Sequence, residues 1–237
     1  MVDYSRRSTE PEYMDGAAVE GPEMSRALEE LQYVNRYLGG VRSSLKALAQ
    51  AEAEAKETKK RLEILDLGTW AADIPAAMVQ WGCSQGRVVR VVGVDFNPFV
   101  CSWAQRQVEH LSQVEVVRGD ALNLPFRRKT FDYVHCAMFL HHFPQEEAAK
   151  IVQTMYGLSR RGIIINDLHR HPVAFHAISW ITRCWSKSSM VQHDAPVSVL
   201  RGFCSVDLEE LAHLSGIARF SVRRYWPFRF VLLAPKS

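Results

Sequence analysis

The stretch Ile64-Leu65-Asp66-Leu67-Gly68-Thr69-Trp70-Ala71-Ala72-Asp73 carries the sharpest change of character in the chain. A short apolar strand ends at a glycine, and a helix from about Asp73 to Trp81 opens behind it, with Pro75 in its first turn. Gly68 permits the sharp turn because it has no Cβ to clash. Pro75 costs little there, since the N–H it lacks has no helical partner at that position. A loop of this kind presents backbone N–H groups and the positive end of a helix to a ligand.

Reading outward, the same alternation repeats. Val88 to Val94 is a second apolar strand, and Asn97-Pro98 opens a helix whose Val100, Ala104, Val108 and Leu111 form one stripe. Val114 to Val117, Phe131 to Ala137 and Gly162 to Asn166 are further strands, with a helix at Pro144 to Leu158. Nearly continuous aliphatic strands between amphipathic helices predict a parallel sheet covered on both faces. After a helix at Ser205 to Ser215, Arg219 to Tyr225 and Phe228 to Leu233 are joined only by Trp226-Pro227, which forces an antiparallel pair. The expectation is an α/β, Rossmann-like, doubly wound and mostly parallel seven-stranded sheet ending in an antiparallel hairpin.

Upstream, Leu28, Leu31, Val34 and Leu38 give a helix from Glu23 that Gly39-Gly40 stops. A second helix from about Arg42 to Lys60 has Leu45 and Leu48 as its anchors, and its later half is expected to be exposed. Residues 1–22 are polar and acidic without apolar periodicity and read as a disordered tail. The organisation is thus a tail (1–22), N-terminal helices (23–60) and one catalytic-type domain (61–237). A helical insertion at 171–204 interrupts that domain. It carries Phe175, Trp180 and Trp185, then a polar stretch around His193-Asp194-Ala195-Pro196. It lies beyond the carboxyl end of a strand, where open α/β sheets bind ligands, and reads as a substrate lid. A helix packed on the core or a dimer contact is the competing reading.

Composition narrows the class. Hydrophobic residues make up 47% and charged residues 23%, enough for one sizeable core. The net charge of +3 is spread over scattered pairs such as Arg127-Arg128 and Arg160-Arg161, which argues against a nucleic-acid surface. The five cysteines show no CxxC and suit a reducing compartment. No signal-peptide pattern opens the chain, and no apolar run approaches the ~20 residues of a spanning helix. A cytoplasmic protein, monomer or homodimer, is expected.

Asp95 closes the second strand, where a carboxylate can accept hydrogen bonds from ribose hydroxyls. Asp120, in Gly119-Asp120-Ala121-Leu122-Asn123-Leu124-Pro125-Phe126 after the third strand, can accept from an adenine amino group, and Ala121 offers a backbone N–H. Each also reads as an ordinary helix-start or turn acid.

These blocks, with Phe131-Asp132-Tyr133-Val134 and Phe139-Leu140-His141-His142-Phe143, resemble the class I S-adenosylmethionine-dependent methyltransferases. The resemblance covers residues of about 61 to 170 and is nearest to the ubiquinone- and menaquinone-biosynthesis and small-molecule branches. It implies S-adenosylmethionine as cofactor. Asp66, Gly68, Thr69 and the loop would lie beside its methionine part, Asp95 and Phe96 at the ribose, Asp120 and Ala121 at the adenine, and Met138 and Phe139 beside the sulfonium. The family loop runs Gly-x-Gly-x-Gly or Gly-x-Gly-x-Ala, and Trp70 stands at its second glycine. The indole either swings clear, fills the cofactor pocket, or reshapes the site for another ligand.

Methyl transfer requires an aligned acceptor and, for a phenol, a base. Candidate bases are His141 and His142 after the fourth strand and Asp167, His169 and His171 after the fifth, with His142 or His169 favoured. Their spacing offers no metal signature, so no metal is expected. The reading is a methyltransferase of secondary metabolism acting on a small aromatic, phenolic or polyketide-like acceptor, with O-methylation favoured. The alternatives are a non-catalytic binding or regulatory protein of the same fold with Trp70 plugging the site, and a nicotinamide oxidoreductase, which the loop's missing G-x-G-x-x-G disfavours. A third is a protein that rests the segment from Phe175 to Trp185 on a membrane to reach a lipidic quinone, helped by Arg183 and Lys187.

Overall fold

The computed structural model describes residues 2–16, 19–55 and 59–236. Its elements run α1 (Pro22–Tyr37), α2 (Gly40–Ala53), β1 (Arg61–Leu67), α3 (Asp73–Ser84), β2 (Val88–Asp95), α4 (Pro98–Val108), β3 (Val114–Arg118) and β4 (Phe131–Ala137). They continue with α5 (Gln145–Leu158), β5 (Ser159–Leu168), α6 (Pro172–Trp185), α7 (Ser189–Arg201), α8 (Ser205–Leu214), β6 (Ser221–Tyr225) and β7 (Arg229–Pro235). One seven-stranded sheet has the order β3-β2-β1-β4-β5-β7-β6. The first five strands are parallel neighbours, and β7 runs antiparallel to both β5 and β6.

The aliphatic runs alternate faces as a two-residue period requires. Leu65, Leu67, Ile163 and Ile165 enter the core beneath α5 and α8, whereas Leu62, Ile64 and Ile164 enter the core beneath α2, α3 and α4. Both faces are dry, so the strands are apolar throughout rather than every second residue. Strand order reverses between β1 and β4, which opens a crevice at their carboxyl ends.

Three expectations need correction. Residues 2–16 are not a free tail: Tyr13 and Met14 donate their N–H groups to Asp194 at 2.8 and 3.0 Å, and Arg7 Nε donates to Arg201 O at 2.9 Å. This strap is held by backbone groups and charges rather than by an apolar stripe, so periodicity carried no sign of it. Met1, Ala17 and Ala18 lie outside the described residues. The second helix ends at Ala53 rather than near Lys60, and its later half is covered: Ala51 and Glu52 are buried, and Glu52 pairs with Arg87 and Arg161. Residues 56–58 of that expected helix also lie outside the described residues. Finally, the polar stretch around His193 is part of a helix, α7, with Pro196 inside it. Among the described residues no helix is long and apolar enough to cross a membrane.

Candidate active site

The loop from Gly68 to Ala72 is built from alternate left-handed residues: Gly68, Trp70 and Ala72 have φ of 64°, 46° and 55°. These are the three positions at which the family loop carries small residues. A Cβ on Gly68 would lie 2.3 Å from the Phe139 ring, so glycine is required there by space as well as by φ. At Gly93 of β2 space alone calls for glycine, since a Cβ there would meet Thr69 Oγ1 at 2.6 Å. Trp70 accepts a backbone conformation that costs an L-residue about 1–3 kcal/mol. Its N–H is directed at Asp95 Oδ2, 3.3 Å away.

Two cavities meet at this loop. One, of about 390 Å³, is bounded by Gly68, Asp95, Phe96, Asp120, Ala121 and Phe139. The other, of about 270 Å³, is largely apolar and is bounded by α1, α6, α7 and the β6–β7 turn. Met14, Trp70 and His142 belong to both walls. The indole is therefore a partition, packed on its far side against the cluster of Met24, Leu28, Val100 and Trp103. It does not fill the larger cavity.

That larger cavity brings together four of the residues expected at a nucleoside: Asp95, Phe96, Asp120 and Ala121. Asp95 is partly exposed, and its Oδ1 accepts from Asn97 N at 3.0 Å. Burial raises its pKa against the N–H groups of Asn97 and Trp70. Asp120 receives Leu122 N and Asn123 Nδ2, each at 2.9 Å, and turns the loop that carries Ala121. Phe96 offers an exposed ring face that Arg118 approaches to 6.0 Å. Two expected members are elsewhere. Asp66 is buried in a chain in which His135 joins it at 2.5 Å to Ser44 and Asn166, so it braces the sheet end rather than bounding the cavity. Thr69 is tucked over Gly93 and also stays off the wall. Met138, with φ of 48°, bounds the smaller cavity instead.

The two favoured bases separate. His142 stands at the shared wall, with Nδ1 2.6 Å from Asp15 Oδ1. His169 bounds neither cavity; it packs against Phe230 and the His171 ring, and burial pushes its pKa down to about 4. The neighbouring His141, also a candidate base from sequence, is held on both sides by acids. Its Nδ1 lies 2.7 Å from Asp167 and its Nε2 3.5 Å from Glu12. Burial alone would depress its pKa, but the carboxylates of Asp167 and Glu12 outweigh burial and raise it to about 9. Arg201 reaches Asp15 at 2.6 Å and completes the cluster beneath the strap. Glu12, His141 and His142 place ligand-type atoms within 4.8 Å of one another, a grouping that sequence spacing could not show. Charge pairing across the strap accounts for it.

The insertion does cover the smaller cavity, but not with its aromatic residues. Ala174, Ala177, Ile178 and Ile181 of α6 face the space, as do Ala195, Ser198 and Val199 of α7. Trp180 and Trp185 point outward, 69% and 46% exposed, and Phe175 packs beside Tyr4. His193 and Asp194 anchor the strap: the His193 ring stacks on Tyr13 at 3.7 Å.

Comparison with known proteins agrees with this geometry. A family model described as a methyltransferase domain matches residues 64–162. Demethylmenaquinone methyltransferase of Bacillus cereus is 32% identical over 110 residues, 44% of this chain and 46% of that protein. The matched region thus spans about half the length of the curated relatives. Among solved structures, a SAM-dependent methyltransferase from Aquifex aeolicus aligns with a TM-score of 0.64 at 16% identity, over 89% of this chain and 97% of that one. Human N-acetylserotonin methyltransferase in complex with SAM aligns with a TM-score of 0.65 at 16% identity, over 91% of this chain and 57% of that one. At such identities the structures speak for the fold, while the family model and the curated relative speak for the loops along the sheet's carboxyl edge. Residues 64–162 thus resemble a methyltransferase domain, and they are carried on the fold that S-adenosylmethionine-dependent methyltransferases of known structure share.

Proposed function

We propose that this chain moves a methyl group from S-adenosylmethionine to a small, largely apolar acceptor, aromatic or polyketide-like, with a hydroxyl oxygen as the receiving atom. The observation that carries the reading is the shared wall: a polar cavity with a ribose-type carboxylate and an apolar cavity meet at Met14, Trp70 and His142. The carbon to be moved must lie where two ligands touch, and residues common to both walls mark such a place.

Gly68, Asp95, Phe96, Asp120 and Ala121 would hold the cofactor, which supplies an electrophilic methyl carbon when bound. The chain's own residues align the acceptor, keep water out and manage its proton. The strap closes over both cavities through Met14 and ties down through Glu12 and Asp15. Asp15 is held in its ionised form, against the effect of burial, by His142 and Arg201. It therefore favours the His142 tautomer with the proton on Nδ1, which leaves the Nε2 lone pair to take a proton from a hydroxyl. His141 is unsuited to that role, since Asp167 and Glu12 keep it protonated at neutral pH. The relatives' names, for demethylmenaquinone and N-acetylserotonin, support a small-molecule acceptor. The open space beside Trp70 argues against a plugged, non-catalytic site.

The test is to incubate the chain with S-adenosylmethionine and a panel of hydroxylated one- and two-ring aromatics, and to follow the gain of one methylene unit by mass spectrometry. Transfer that His142→Ala slows without weakening S-adenosylhomocysteine binding is the expected result. Transfer to carbon alone, or unaffected by that substitution, would overturn the O-methylation reading.

A further inference from the structure

Arg229, at the start of β7, is 1% exposed and bounds the smaller cavity. Its Nε reaches Leu38 O at 3.4 Å, while Nη1 is buried with no hydrogen-bond partner. Among the described residues no carboxylate oxygen lies within 4.0 Å of its guanidinium. The acids whose charge it feels, Asp167 and Asp73, act from farther away. Asp167 is already committed to His141 and to the N–H groups of Leu140 and Leu168. The other two buried arginines among the described residues are matched: Arg170 pairs with Asp207 and Arg201 with Asp15.

A guanidinium taken out of water without a counter-charge is costly, and a buried N–H donor without an acceptor adds to that cost. The one acid on that cavity wall among the described residues, Glu12, faces His141 and Arg201, and Leu38, Ala174, Ile178, Leu168 and Phe228 offer no anion. We infer that Arg229 is an anion-reading subsite: the acceptor is an acid whose carboxylate seats on the guanidinium while its apolar rings fill the space towards Trp70 and His142. This rests on the reading of that cavity as the acceptor site and narrows its substrate class. A guanidinium suits a carboxylate because its planar fork can give two parallel N–H···O bonds. It also sets polarity. The acid end is held at the β7 side, so the hydroxyl to be methylated faces the shared wall.

The test uses the full chain saturated with S-adenosylhomocysteine, titrated with 3-hydroxy-2-naphthoate and with its uncharged amide, and read by tryptophan fluorescence and calorimetry. The natural chain should prefer the acid by about tenfold or more, the ratio that one charge-assisted contact gives. Arg229→Met should erase that preference, keep the amide affinity and leave the melting temperature unchanged or higher, since it removes an unpaired buried charge. Arg229→Lys, which keeps charge without the fork, should retain an intermediate preference, and it serves if the methionine variant does not fold. A structural role predicts the opposite: a lower melting temperature and an unchanged acid-to-amide ratio. That result, an amide bound as well as the acid, or neither probe bound by the loaded natural chain, would overturn the inference. Failure of S-adenosylhomocysteine itself to bind would instead count against the methyltransferase reading.

Discussion

On the Asp95 side of Trp70 the cavity wall is made mostly where strands end: Gly68 after β1, Asp95 and Phe96 after β2, Asp120 and Ala121 after β3, Phe139 after β4. On the Arg229 side the wall is assembled from Met14 of the strap, Val34 and Leu38 of α1 and its end, Ile178 of α6, Val199 of α7 and Phe228 before β7. The first is a property of the sheet, and its polar groups are largely backbone N–H and short carboxylates in tight turns. The second is a property of the additions to the sheet, and side chains far apart in sequence decide its shape. The fold can keep the first constant while the second varies, which is how one architecture serves many acceptors.

That contrast can be broken experimentally. The largest effect should come from Asp95→Ala, which removes the carboxylate at the end of β2 from the wall of the larger cavity. S-adenosylhomocysteine affinity should fall by about a hundredfold, measured calorimetrically, while the acid probe at Arg229 binds as before. Equal loss of both ligands would mean the cavities are not independent. A smaller effect is expected from Asp194→Ala, which strips the acceptors from Tyr13 N and Met14 N. Loss of such a buried acceptor costs about 1–3 kcal/mol, and it should appear as faster amide exchange at Tyr13 and Met14 and faster release of both ligands. Unchanged exchange there would show that the strap is held by something other than α7.

The smallest effect is a pH dependence. His141 has its pKa raised to about 9 in the fold, by Asp167 and Glu12 acting against burial, from an ordinary 6.5. A raised histidine contributes stability that is fully present below about 6.5 and is lost as pH rises through about 9. The melting temperature should therefore fall by a few degrees across that window. Glu12→Gln should lower the window's upper edge and make the fall shallower. Identical pH profiles for the two proteins would remove Glu12 from the cluster.

The same contrast explains what the sequence made legible. The order of strands and the antiparallel hairpin could be read, and Gly68, Asp95, Asp120 and Ala121 could be placed along one crevice, because each depends on neighbours within a few positions. Trp70 was visible as a departure, but its rotamer depends on Met24, Leu28 and Val100, which come from other elements. The strap was misread because Tyr13, Met14 and Asp15 are fastened by α7, at the other end of the chain, through polar contacts that carry no period. His169 was misplaced because the register of β5 against β7 turns it towards Phe230 rather than the crevice. Trp180 and Trp185 looked like lid residues by composition, yet the helical phase of α6 gives the cavity its alanines and isoleucines instead. Arg229 carried no sequence signal, since a lone arginine at the start of a strand ordinarily sits in water.

The central claim is that Trp70 divides two working cavities rather than plugging one. The most direct measurement is calorimetric titration of S-adenosylhomocysteine into the natural chain and into Trp70→Gly. The account predicts micromolar binding by both, with the glycine variant losing affinity for the acid probe as the two cavities merge. No binding by the natural chain, with binding restored by Trp70→Gly, would contradict it.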